Sequence, residues 1–126
     1  MLAVDTNVLV RIIIGDNPRQ TAVADQFIAN GAWVPVLAVA EATWVLRAIY
    51  KQSHADIAAV VEMLLTHKDL ILQDSDVVAA ALKLYKSRPA LGFSDCMMLH
   101  VARRAGHLPL GTFDRALGRI EGVQEL

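Results

Sequence analysis

What this chain has little of narrows it first. It carries a single cysteine, Cys96, which excludes an internal disulfide and any multi-thiolate zinc site and suits a reducing compartment. Its longest apolar stretch, 31–40, is broken by Pro35 and falls far short of the roughly 18 to 20 residues that span a bilayer, so no membrane helix is expected. Positive charge is scarce as well. Lys and Arg number 12 against 13 Asp and Glu, a formal net charge of -1. No global positive field therefore draws in nucleic acid or anionic lipid, and any such contact needs a local basic patch. His54, His67, His100 and His107 show no metal-ligand spacing. No basic leader with a small-residue cleavage site opens the chain, so a cytoplasmic location is expected. No linker, repeat or low-complexity segment interrupts it.

What is there is mostly apolar. A chain of 126 residues with 55% hydrophobic content is expected to form one domain, 1–126, burying roughly two thirds of its unfolded surface. The mean hydropathy of +0.40 is high for so small a domain. The excess reads as interface, in a homodimer, against a partner protein, or both, with an unusually apolar monomeric core as the alternative.

Short apolar runs alternate with amphipathic helical stretches, the pattern of an α/β protein with a mostly parallel sheet. Strands are expected at 2–4, 32–35, 70–72 and 108–111, with an edge strand near 123–126. Helices are expected over 8–14, from a cap at Asp16 or Asn17 to about Asn30, and over 38–51. Another follows the capping pattern Ser53 and Asp56. A fifth runs from Asp74 or Ser75 to before Pro89, a sixth from Ser94 or Asp95 to Gly106, and a short one covers 115–117.

Four acids, Asp5, Glu41, Asp95 and Asp114, stand out because their flanks are apolar and carry them inward. Asp5 ends the first strand, and Asp114 follows the fourth after Gly111-Thr112-Phe113. Both emerge at the carboxyl edge, where open parallel sheets bind ligands. On its helix Glu41 lies within about 60° of Leu37, Trp44, Val45 and Ala48, while Thr43, Arg47 and Tyr50 take the far side. Asp95 heads a row with Met98, Ala102 and Ala105. Helix capping competes as an explanation for Asp95, Asp114 and Asp5, but a solvated cap does not suit Glu41. Cys96 points toward packing, and the Met97-Met98 pair fills core or interface.

Carboxylates without histidine or thiolate select a hard divalent ion, Mg²⁺ or Mn²⁺, as one or two ions. Phosphoryl chemistry follows, because such an ion neutralises phosphate oxygens and activates water. Thr6, Asn7 and Thr112 are polar neighbours able to hold water or orient the carboxylates. With the ion absent, four like charges in one pocket repel, so at least one acid is expected to titrate well above the ordinary value near ~4.

With these residues in place the chain resembles the PIN-domain nucleases, and more narrowly the VapC-type toxins of bacterial toxin-antitoxin pairs. The resemblance rests on Asp5-Thr6-Asn7-Val8-Leu9-Val10, Ala40-Glu41, Gly92-Phe93-Ser94-Asp95 and Thr112-Phe113-Asp114-Arg115. It implies a three-layer α/β/α sandwich around a central, mostly parallel sheet of about five strands. It also implies a metal-dependent endoribonuclease that dimerises and is silenced by a cognate antitoxin lying across its active-site groove. The roles expected are metal holding by Asp5, Asp95 and Asp114, with Glu41 completing the pocket and helping to deprotonate water. Arg11, Arg47, Arg103 and Arg115, with Arg19 and Arg104, are candidates for guiding RNA phosphates. A haloacid-dehalogenase-like phosphotransferase would need a second Asp where Asn7 stands. A non-catalytic interaction module of the same fold is the stronger rival.

Overall fold

The architecture follows from short, mostly apolar runs separated by amphipathic helices. A computed structural model describes residues 1–126. In chain order it contains β1 (Leu2–Ala3), α1 (Thr6–Ile14), α2 (Pro18–Ile28), β2 (Ala32–Val34), α3 (Val36–Ala48) and α4 (His54–Thr66). There follow β3 (Leu70–Leu72), α5 (Ser75–Ser87), α6 (Phe93–Ala105), β4 (Leu110–Thr112), α7 (Arg115–Gly118) and β5 (Val123–Glu125). The mixed α/β class and the parallel strand direction are as expected.

Local signals account for most helix starts. Asn17 accepts from Gln20 N–H at 3.1 Å, with Pro18 in the first turn of α2. Ser53 and Asp56 form the reciprocal capping box of α4, at 3.1 and 3.2 Å. α3 has no such residue, because Pro35 occupies its cap position. Instead Gln73, just beyond β3, accepts from Val36 N–H through Oε1 at 2.9 Å. That contact fixes the start of the helix that carries Glu41.

The core is built from one face of β2 and β3 and the inner faces of the helices. Ala32, Val34, Leu70 and Leu72 are buried, whereas Trp33 and Ile71 between them are exposed. Leu9, Val39, Leu46, Val61, Leu64 and Val78 are fully inaccessible, each stabilising the fold by about 1.5–3 kcal/mol. Thr43 is the one buried polar side chain, and its hydroxyl donates to Ala40 O at 2.7 Å. Cys96 and Met97 pack inside, while Met98 is exposed.

The fold is of the expected α/β/α kind, and the expected five-stranded sheet is matched roughly, its parallel strands falling into two ladders. β1, β2 and β3 form a parallel sheet in that order, and β4 pairs only with β5. Strand β1 has two residues, and the Val4 N–H that follows them donates to Trp33 O at 3.1 Å. A strand this short offers little edge on its other side for a ladder with β4. α6 also begins earlier than expected, at Phe93 behind Gly92, so Asp95 lies inside its first turn and does not cap it.

Candidate active site

Asp5 leaves the end of β1 and turns the chain into α1, its Oδ1 accepting from Val8 N–H at 3.1 Å. Asp114 does the same after β4, its Oδ1 accepting from Leu117 N–H at 2.8 Å. Capping and a functional role are thus compatible, since each carboxylate keeps Oδ2 without a protein partner. Thr112 holds the second turn, its Oγ1 accepting from Asp114 N–H at 3.0 Å.

Glu41 reaches this region from α3. The Thr6 hydroxyl donates to its Oε2 at 2.7 Å, linking positions 35 residues apart. That bond leaves Oε1 as the carboxylate oxygen without a protein partner. Asp95, from the first turn of α6, lies against Gly92, with Oδ2 3.5 Å from where a Cβ there would stand. Burial, and then the nearby negative charge of Asp114, push the Asp95 carboxyl above the ordinary carboxylate range, against the opposing pull of Gly92 N–H. The direction agrees with the expected rise of one acid, but burial is a larger cause than the neighbouring charge.

The idea that all four acids point into the interior is corrected. Asp5, Glu41 and Asp114 are exposed and Asp95 is half-buried. On α3 the buried face is Ala38, Val39, Ala42, Thr43 and Leu46, so the row Leu37, Glu41, Trp44 faces outward. Helical periodicity shows which residues share a face and is silent about which face meets the core. Among the acids the structure couples Asp95 with Asp114. No three His, Cys, Asp or Glu side chains converge closely enough to form a metal cage. The donor set still fits Mg²⁺ or Mn²⁺, which take one or two carboxylates directly and complete their shells with water and phosphate oxygens.

Two depressions flank the acids. One of about 820 Å³ runs between α1 and α2, lined by Asp5, Asn7, Arg11, Arg19, Val23 and Phe27 among others. A second of about 470 Å³ lies between α3 and α6 and includes Trp44, Arg47, Tyr85, Ser94 and Asp95. Of the candidate cations, Arg11 is paired with Asp16 at 2.8 Å and Arg104 with Asp76. Arg103 donates to Glu121 O at 3.1 Å and lines a third cavity that contains none of the four acids. Arg115 directly follows Asp114 on α7. Sequence reasoning missed Gln73 and placed Trp44 in the core. An aromatic three positions after a helical acid was the signal available for the latter.

Parallel strands deliver Asp5 and Asp114 to their carboxyl edge, where α/β proteins bind ligands. The PIN domain family matches residues 2–123, and the chain belongs to that family. PIN domains are generally nucleases, hydrolases of phosphodiester bonds, and generally use divalent metal ions. No curated protein matches the chain.

Proposed function

We propose that this protein is a Mg²⁺- or Mn²⁺-dependent endoribonuclease and the toxin of a type II toxin-antitoxin pair. The observation that carries the reading is the match to the PIN family over nearly the whole chain, with Asp5, Glu41, Asp95 and Asp114 as its candidate acids. A divalent cation supplies positive charge for the phosphodiester oxygens and makes a nucleophilic water accessible at neutral pH. Asp95 and Asp114 would hold it, with Asp5 the further acid whose Oδ2 has no protein partner. Glu41, oriented by Thr6, accepts the proton of the attacking water at Oε1. The water oxygen bonds to phosphorus as the bond to the leaving ribose oxygen breaks, and that oxygen takes a proton from solvent.

Arg115, which follows Asp114 in the chain, and Arg47, which lines the same cavity as Asp95, guide the flanking phosphates. Exposed Leu37, Val101, Met98 and Ile49 suit a homodimer or an antitoxin contact. No helix is long and apolar enough to cross a membrane, and a cytoplasmic site of action is part of the proposal. The same exposed residues also favour a second reading, a non-catalytic module acting through protein binding alone.

Purified chain incubated with total cellular RNA and Mg²⁺ or Mn²⁺ decides between the two. Discrete cuts, absent with chelator and with Asp95→Asn, are expected. Intact RNA under every condition, alongside capture of a protein partner, would move the assignment to the binding module.

A further inference from the structure

We infer that the cavity between α3 and α6 is a nucleotide subsite, in which a base of single-stranded RNA beside the scissile phosphodiester stacks on Trp44 while its phosphate meets Arg47. The inference rests on the nuclease reading and adds to it the place where substrate is gripped. Tryptophan is highly buried on average, yet Trp44 is 62% exposed. It follows Glu41 by three positions and so lies one helical turn further along the same outward row. The cavity it lines also contains Asp95 and Ser94, and its volume of about 470 Å³ is within the ordinary range for small-molecule sites.

Arg47 is one turn beyond Trp44 and belongs to the same wall. Tyr85 lines the same cavity, and burial raises its pKa against the opposing positive charge of Arg47. The Tyr85 ring is itself locked. His54 stacks on it at 3.7 Å and 17°, and Phe93 meets its edge at 5.5 Å and 85°.

The chemistry of the lining selects the occupant. An aromatic face accepts any base, and a guanidinium accepts a phosphate. Arg47 also offsets the repulsion that Asp95 and Glu41 exert on an approaching polyanion. An apolar protein surface seated here would leave Arg47 and Asp95 desolvated and unpaired, which is costly.

The test uses the full chain with metal chelated, so that binding is read without cleavage, and a short fluorescein-labelled single-stranded RNA of randomised sequence. Trp44→Ala should weaken binding about five- to 150-fold, the range for loss of one base-aromatic stack, and Trp44→Phe should retain most of the affinity. In Trp33→Phe, where Trp44 is the remaining tryptophan, saturating RNA should quench the intrinsic fluorescence. Unchanged affinity in Trp44→Ala with no quenching in Trp33→Phe overturns the subsite. A halved mass by light scattering with unchanged affinity also overturns it and assigns Trp44 to self-association. Metal-dependent cleavage by the wild type without any Trp44 dependence removes the subsite and leaves the nuclease standing. A wild type that neither binds nor cuts RNA removes both.

Discussion

Replacing Asp95 by Asn removes one negative charge from the site while keeping the size of the side chain. Asp95 is half-buried and its carboxyl is raised by burial and by Asp114, so the metal-free protein carries an unfavourable charge there that Asn relieves. Solvent reaches the carboxyl, and screening keeps the gain under about 1 kcal/mol. For 126 residues, an unfolding entropy of about 2.1 cal/mol/K per residue gives about 0.26 kcal/mol per kelvin. The expected rise in Tm is therefore no more than about 4 °C in chelator at neutral pH and low salt.

The pH dependence has a definite sign. A folded pKa raised above the unfolded one means that folding takes up protons between the two values. Wild-type stability then falls as pH climbs through that window, and the advantage of Asn is absent below the ordinary carboxylate range and complete above the raised value. Cation at about 100 times its Kd should add about 2.7 kcal/mol to the wild type, or about 10 °C, and add far less to the variant. Differential scanning fluorimetry across pH, with and without Mg²⁺ or Mn²⁺, reads both effects. Equal melting temperatures in chelator together with equal metal shifts would refute the acidic-site reasoning.

Thr6→Val deletes the 2.7 Å bond to Glu41. It should slow RNA cleavage by about tenfold, equivalent to about 1.4 kcal/mol at the barrier, with Thr6→Ser restoring the rate; equal rates in all three forms would deny Glu41 its role. Gln73→Ala leaves the half-buried Val36 N–H without its acceptor and should cost about 1–2 kcal/mol, seen as a lower midpoint in urea at unchanged slope. Cys96 is fully buried and its thiol is pushed up to about 12, chiefly by burial. It should resist a thiol reagent at pH 8 until denaturant is added, and rapid labelling of the native protein would contradict the packing described.

Features set by neighbours in the chain were legible in the sequence. The capping box of Ser53 and Asp56, the Asn17 cap and the strand 70–72 all depend on local spacing, and all are present. The start of α6 was not, because Ser94 and Asp95 are better capping residues than Gly92. In the fold Asp95 instead reaches back from the third helical position toward Gly92 N–H. The outward direction of Glu41 was hidden by its apolar companions, since Leu37 and Trp44 are exposed and a hydrophobic row looks the same whether it meets core or cleft. Contacts such as Thr6 with Glu41 and Gln73 with Val36 join residues 35 and 37 positions apart, and no local pattern encodes them. The four acids were legible as a set. That Asp5 and Asp95 line separate cavities was not.

The break between the ladders has a consequence for how the acids are spaced. Asp5 is mounted at the end of one hydrogen-bonded unit, β1-β2-β3, and Asp114 at the end of another, β4-β5. Their separation is set by side-chain packing across a seam, with buried Leu117 and half-buried Leu110 against the core, and no shared backbone ladder holds it. The geometry of the carboxylates is therefore adjustable by substitutions that touch neither acid, and residues lining that seam are a tuning element for whatever the acids hold.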